Sequence, residues 1–385
     1  MLILWRYLLK QYLKVFCLAS IAFIAILLVT RLNQIARVTV LGVEGWNLVL
    51  FILYQLPYIL PIAIPVSSLI SAVILFQGLS HAHELTAMRA CGLSLRRITA
   101  PILIVSAALS LVNAFVTSEL ATESHLASRQ LIYKLSTGNP LLLFQNSQLL
   151  KLKDTYVDMR VIENGERAED FLLASYNRNN GRLALIIAKN IALSSDLLVA
   201  KEVSLISGIR PDSEGTITEY DNRIIENHKV MSSGAKEASN LLKRSEWRLN
   251  NDHLKMRLLL FRAGGLRKDL QIAKEEASPS SQIYEIKKSL NLCYSDISRR
   301  ISIALAVFTF TLMGTAFGIQ ISRDPSKKGL FAVLSLATLF LICFFSAKGL
   351  EQIFWLATTL YMAPHLLILA LSFWTLKRVS QGATS

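Results

Sequence analysis

The residues most able to do chemistry stand in two places. Between Ser80 and Arg97 a short polar stretch separates two apolar runs and carries His83-Glu84-Leu85-Thr86-Ala87-Met88-Arg89-Ala90-Cys91-Gly92. Ser80 is placed to cap a helix here, His83 and Glu84 fall in its first turn, and Gly92 ends it. On that helix Leu85 and Met88 share a face beneath one acidic group. An acid and an apolar knob on a short rigid helix suit docking onto a separate protein, and methionine suits a groove that reshapes. The second place is Arg31 and Arg37, just past the first apolar run. Arginine makes bidentate, charge-assisted bonds to phosphate, which fits a lipid head group at a membrane border. The plainer alternative is that Arg31 only ends the run by snorkelling.

Signatures of catalysis do not assemble. No G-x-x-x-x-G-K-[ST] occurs, so no P-loop can cradle a nucleotide. His83-Glu84 begins an H-E-x-x-H pattern, but position 87 is alanine. Gly92-Leu93-Ser94-Leu95 is followed by Arg96, which spoils a nucleophile elbow. His81 and His83 diverge on a helix, which disfavours a shared metal. His365 lies in the last apolar run, where an ionisable group is a functional candidate by default. The reading favoured for it is a place near the interface, bonded to a backbone carbonyl. Cys17, Cys91, Cys293 and Cys343 form no spaced pair, so no disulfide framework and no metal site are expected.

Elements must hold these residues, and the composition says which kind. Hydrophobic residues make up 52% of the chain and charged ones 18%, against roughly a quarter charged in soluble domains. Broken at charges, the sequence yields apolar runs at Val15–Thr30, Gly45–Ser80, Ile98–Ser118, Ile301–Ser322, Gly329–Ala347 and Gln352–Leu376. Each is long enough to cross a bilayer, the first with Lys14 and Arg31 snorkelling from its ends. Gly45–Tyr54 is expected to lie along the interface, because the second run exceeds one span. Pro57, Pro61 and Pro65 share a face of that span, so it should be bent, and carbonyls freed by the rings must find partners in neighbouring helices.

The net charge of +14 is not a nucleic-acid footprint, since no basic stripe with interleaved aromatics appears. The cations instead mark topology. Arg6, Lys10 and Lys14, then Arg89, Arg96 and Arg97, then Arg323, Lys327 and Lys328, and finally Lys377 and Arg378 all flank one side of the runs. By the positive-inside rule both termini are cytoplasmic and 119–300 is outside. Within that segment Glu119–Ser136 is helical. Strand patterns follow at Thr155–Ile162, Phe171–Tyr176, Arg182–Leu193, Leu198–Ile206 and Gly215–Ile225, separated by turn residues such as Asn164-Gly165 and Asn179-Asn180-Gly181. They predict a sandwich, a jelly roll or an open barrel.

The fold class is therefore a polytopic α-helical membrane protein with six transmembrane helices and an inserted periplasmic β-jellyroll-like domain. The expected organisation is helices one to three in 1–118, with a coupling helix at about 81–97. The periplasmic domain fills 119–300, its β part at about 141–230 and a helical connector at 231–300. Helices four to six fill 301–385.

Glu84-Leu85-Thr86-Ala87-Met88-Arg89-Ala90-Cys91-Gly92-Leu93-Ser94 resembles the E-[LI]-x-x-M-x-A-x-G-[LF]-[ST] coupling segment of the lipopolysaccharide-export permeases of LptF/LptG type. The resemblance extends to Arg6-Tyr7, the proline-bearing second span, Leu205-Ile206-Ser207-Gly208 in the β region, and Arg299-Arg300-Ile301 entering span four. Residues 231–300 depart from it, being longer and more basic than the family's usual link. Ala90-Cys91-Gly92-Leu93-Ser94 leans towards LptF.

The resemblance implies a permease subunit in a bacterial inner membrane. It would pair with a homologous second permease in a heterodimer and sit on a cytoplasmic ATPase dimer. It would pass lipopolysaccharide from the outer leaflet to a periplasmic β-jellyroll bridge protein. It implies no cofactor on this chain, ATP being used by the partner. Glu84, Leu85, Met88, Arg89 and Gly92 become the ATPase-coupling residues, and Arg31 and Arg37 the substrate-binding ones. Two other readings compete. A polytopic membrane enzyme modifying a lipid head group would need an acid, base or metal cluster near the outer face. A mechanotransmitter that moves no lipid generally has four spans.

Overall fold

The computed structural model describes residues 2–32, 35, 45–138, 150–152, 155–162, 167–177, 182–194, 197–209, 222–234, 251–276, 279–319 and 328–381. Among them are α1 (Leu2–Thr30), α2 (Gly45–His81), α3 (Glu84–Ala90), α4 (Leu95–Phe115) and α5 (Ala121–Gly138), with a π-helical turn over Val116–Leu120 joining α4 to α5. After six strands come α6 (Met256–Glu275), α7 (Ser280–Gly318), α8 (Lys328–Gly349) and α9 (Phe354–Ser380). Among the described residues six helical stretches are long and apolar enough to cross a membrane: Ile3–Thr30, Leu48–His81, Leu95–Leu131, Ser280–Gly318, Gly329–Gly349 and Phe354–Ser380. This protein is a six-span helical membrane protein with an inserted β domain.

By its contacts the chain divides into two compact units. One joins Met1–Thr30, Leu53–Leu126 and Leu249–Ser385, and the other joins Arg31–Ile52 and Ala127–Arg248. The connector helix α6 therefore groups with the spans and not with the sheet. Its Leu259 and Ala263 pack on Leu290 and Cys293 of α7.

The second span differs from expectation at its start. No turn occurs at Tyr54; α2 is continuous for 37 residues through all three prolines. Helix satisfies backbone polar groups without outside help, which favours extending it over exposing a bend. The proline cost is met where the sequence said it must be, in a neighbour. Pro65 has no N–H to offer the Pro61 carbonyl one turn earlier. Asn113 of α4, fully buried, donates its Nδ2 to that carbonyl at 3.4 Å and to the Ile303 carbonyl of α7 at 3.1 Å. One side chain thus joins three helices. Ser68 Oγ donates to the Pro65 carbonyl at 2.7 Å.

His365 bonds across to another helix. Its imidazole is buried within α9, and its side-chain partners are two hydroxyls of α7: Ser302 Oγ lies 2.9 Å from Nε2 and Thr309 Oγ1 3.0 Å from Nδ1. Ser302 Oγ also lies 3.1 Å from the Tyr361 carbonyl, to which it donates its proton. Thr309 Oγ1 also lies 3.3 Å from the Leu305 and Ala306 carbonyls, so its one proton has three acceptors within reach. Both partners sit on another helix, so nothing local in the sequence announces them.

In the second unit the strands are β1 (Leu150–Leu152), β2 (Thr155–Ile162), β3 (Arg167–Asn177), β4 (Arg182–Ser194), β5 (Leu197–Ile209) and β6 (Asn222–Gly234). They form one antiparallel sheet in the order β1-β2-β3-β4-β5-β6. This is a meander, and among the described residues no crossover departs from it. Period-two alternation places one face inward. Leu173, Ile186 and Leu205 lie opposite one another across three strands, as do Phe171, Ala188 and Val203, and Ala168, Ile191 and Ala200. These rows, with Met159 beside a register shift in β2, are the domain's core. Four of the five expected strands lie within four residues of their observed ends. The fifth was expected at Gly215–Ile225; β6 begins at Asn222, and residues 210–221 lie outside the described residues.

Candidate functional site: the loop helix and its anchors

The Ser80–Arg97 segment folds as a helix, though not from Ser80. Ser80 Oγ turns back to the Phe76 carbonyl of α2 at 2.7 Å, so it caps nothing downstream. The chain breaks at Ala82-His83, with His83 in the left-handed region at φ 57°. Glu84 then opens α3, where its negative charge meets the helix's positive end. The C-terminus is as the sequence predicts. Gly92 adopts φ 82°. Its N–H donates to the Arg89 carbonyl at 2.9 Å, and the Leu93 N–H to the Met88 carbonyl at 3.2 Å. These two bonds make a Schellman cap, which needs a residue tolerant of left-handed backbone.

The structure corrects the apolar knob. Leu85 is 1% exposed and belongs to this chain's own core, among Leu8 of α1, Phe76 and Leu79 of α2, and Ile98 of α4. Met88 is half-buried against the same cluster. Fully burying a leucine is worth about 1.5–3 kcal/mol, so the amphipathic face turns inward. Leu85 is therefore no surface for another protein. What α3 presents outward is Thr86, Ala87 and Ala90, followed by Cys91 and Gly92.

Two polar contacts pin α3 to the ends of the chain. The Tyr7 hydroxyl of α1 lies 3.1 and 3.3 Å from the two Glu84 carboxylate oxygens, to which it donates. Arg89 donates to the Val379 carbonyl at 3.5 Å and the Ser380 carbonyl at 3.3 Å, in the last turn of α9. Carbonyls there lack helical donors and favour a cation. Sequence reasoning placed Arg89 in the docking group; the structure gives it an internal partner.

Of the two arginines past the first span, Arg31 is half-buried immediately after α1, and its carbonyl accepts from the Ile35 N–H at 3.1 Å. Arg37 lies outside the described residues.

A second polar cluster was not foreseen as a unit. Around the start of span four, Arg299 pairs with both Asp252 and Asp296. Arg300 donates Nε to Asp296 Oδ2 and Nη2 to the Asn251 carbonyl, each at 3.1 Å. Burial pushes the Asp252 carboxyl up, but the Arg299 charge outweighs it and holds the group below its ordinary range. Burial raises the Glu351 carboxyl. Lys255 pairs with Glu123 at 3.1 Å and Glu119 at 3.7 Å, which raises its ammonium above the usual value. His125 stacks between Tyr58 and His253. The carboxylates of Asp252 and Asp296 are committed to guanidinium partners, so this arrangement locks elements together. The signal available beforehand was Asp296 three and four residues before Arg299 and Arg300, the spacing of helical ion pairs. Among the described residues no three metal-ligating side chains gather.

The molecule thus carries a capped loop helix between spans two and three, in a six-span frame with an inserted β domain. The sequence profile of the family described as lipopolysaccharide export system permease LptF/LptG matches residues 6–378. The chain belongs to the LptF/LptG permease family. Its role is accordingly that of a lipopolysaccharide export permease, and it is a multi-pass membrane protein. The profile covers LptF and LptG alike. No curated protein matches the chain individually.

Proposed function

We propose that this LptF/LptG permease is the membrane subunit of an ATP-driven exporter. It takes lipopolysaccharide from the outer leaflet of the inner membrane and passes it to a periplasmic β-jellyroll bridge. A homologous second permease and a cytoplasmic ATPase dimer complete the machine. The observation that carries this reading is α3, a rigid helix with an acid at its start and a smooth outward face of Thr86, Ala87 and Ala90. In this assignment Glu84 meets the ATPase, Met88, Arg89 and Gly92 shape and hold the helix, and Leu85 only anchors it. Arg31 and Arg37 hold phosphates of the lipid head group. ATP is bound by the partner and this chain needs no cofactor.

The topology that goes with this function has both termini and α3 in the cytoplasm and the β domain in the periplasm. Single cysteines from Gly181→Cys and Lys327→Cys, in a cysteine-free background, separate the two orientations. In intact spheroplasts an impermeant thiol reagent should label position 181 and spare position 327. The reverse pattern would invert the protein and remove the exporter with it.

Reconstitution tests the function itself. The complex purified in mild detergent should contain a paralogous permease and an ATPase, and in proteoliposomes it should release lipopolysaccharide to a periplasmic acceptor only with ATP. Arg31→Glu should lower release, and lower the photo-crosslinking of lipopolysaccharide to a probe placed at Leu32. Arg31→Lys should do less, since lysine keeps the charge without the fork. A charge-assisted bond is worth about 1.5–3 kcal/mol, so a loss of roughly tenfold or more is expected for the glutamate variant. Undiminished crosslinking and release with glutamate would leave Arg31 as a snorkelling anchor.

A further inference from the structure

The first span is attached to its unit near one end. Leu8 and Tyr12 are fully buried, Leu4 packs on the same cluster, and the Tyr12 hydroxyl lies 3.4 Å from Thr311 Oγ1 of α7. Beyond these first three turns α1 stays apolar; one side is open, with Leu18 71% and Val29 61% exposed, and the other, with Phe16, Ser20 and Phe23, is half-buried. A helix of 29 residues is roughly 44 Å long at 1.5 Å per residue. Its fully buried side chains lie within its first three turns, so a displacement imposed there is carried along the rod to the far end. That far end is Thr30, one residue before Arg31.

The first turns are where α3 touches α1. Tyr7 lies one residue from Leu8 and donates its hydroxyl proton to the Glu84 carboxylate. The other end of α3 is fixed by Arg89 on the terminal carbonyls of α9. Between these ties Leu85 is seated in a core shared by Leu8 of α1 and Val379 of α9. Helix α3 thus bridges the beginning of the first span and the end of the last. A push on it is resisted at Arg89 and transmitted at Glu84.

We propose that Tyr7 is a positioning residue that carries movement of the docking helix into the first span through its hydrogen bond to Glu84, with Arg89 as the fulcrum on α9. This rests on α3 being the ATPase-docking helix. Glu84 then serves two partners at once. A carboxylate offers about four lone-pair sites, so it keeps the Tyr7 bond while accepting from a cation on the ATPase. Coupling needs both bonds; docking needs only the second.

Tyr7→Phe separates them, because the ring and its packing stay while the donor is lost. In the full complex, ATPase co-purification and thermal stability should match wild type. Lipopolysaccharide released per ATP hydrolysed should fall about tenfold, as expected for losing one hydrogen bond to a charged group. On a Glu84→Gln background the same substitution should add much less than on wild type, since the carboxylate that gives the bond its strength is already gone. Wild-type release per ATP in Tyr7→Phe overturns the proposal, and so does an equal fall of release and hydrolysis that leaves their ratio unchanged. Loss of the ATPase from the Tyr7→Phe complex also overturns it, by making Tyr7 part of the docking surface. The docking assignment fails separately, if Glu84→Arg retains the ATPase.

Discussion

Glu84→Arg should strip the ATPase from the purified complex while the permease still inserts and folds. Glu84 opens α3 half-buried, and the preceding His83 offers no side-chain cap. The fold around it does not depend on its charge, because Leu85 and the Gly92 cap hold the helix from the other side and the other end. Truncating one partner of an interfacial charge pair and leaving the other buried costs about 2–5 kcal/mol. At 1.4 kcal/mol per tenfold, that is a loss in affinity of roughly thirtyfold at the least. Reversing the charge adds repulsion and should reach the upper part of that range. It also ends the Tyr7 bond, since a guanidinium accepts nothing. Tyr7→Phe isolates that second effect. The measurement is ATPase recovered per permease in mild detergent, together with lipid-stimulated ATP hydrolysis. Wild-type recovery and hydrolysis would rule out the docking role of Glu84.

The same helix marks how far the sequence could be read. Its position, its acid, its glycine stop and its amphipathic face were all legible, because each follows from local spacing. Which partner covers the apolar face was not. A 3.6-residue period announces a buried side without saying whether Phe76 and Ile98 of the same chain or a second protein will bury it, and for Leu85 the answer is its own chain. Ser80 illustrates a competing local choice, since its hydroxyl reaches the carbonyl four residues back as readily as a free amide ahead.

Strands β2 to β5 were legible to within a few residues because alternation and turn residues are both short-range. The His365 hydroxyl pair and the Arg299 cluster are tertiary. Ser302 is 63 residues from His365 and Asp252 is 47 from Arg299, and a single sequence carries no signal at those separations. The proline argument stands between these cases. It predicted that a freed carbonyl must be met, and left Asn113 to be found.

A helix-packing motif passed unnoticed in the sequence and should yield the largest stability effect. Gly314 and Gly318 of α7 are one turn apart, a G-x-x-x-G in an apolar span that lets helices approach closely. The facing residues lie on α2. A Cβ at position 314 would sit 2.7 Å from Ala72 Cβ, 2.9 Å from the Leu69 carbonyl oxygen and 3.2 Å from the Val73 nitrogen. Two of these three atoms are backbone and cannot rotate aside. At position 318 the nearest approach is 3.2 Å, to Phe76 Cβ, which a small shift relieves. Gly314→Leu must therefore push α2 away, and α2 also carries the Pro61 carbonyl that Asn113 holds. Overpacking a close contact costs about 1–3 kcal/mol, and stranding a buried amide adds about 1–3 kcal/mol more. The expected order of thermal stability in detergent is wild type, then Gly318→Ala, then Gly314→Ala, with Gly314→Leu recovered poorly or aggregated. Gly78→Ala is the control, because nothing lies within 4 Å of its added carbon and alanine favours helix. Size-exclusion profiles and melting curves of the four variants decide the matter. If Gly314→Leu melts with Gly78→Ala, α2 and α7 do not pack through these glycines.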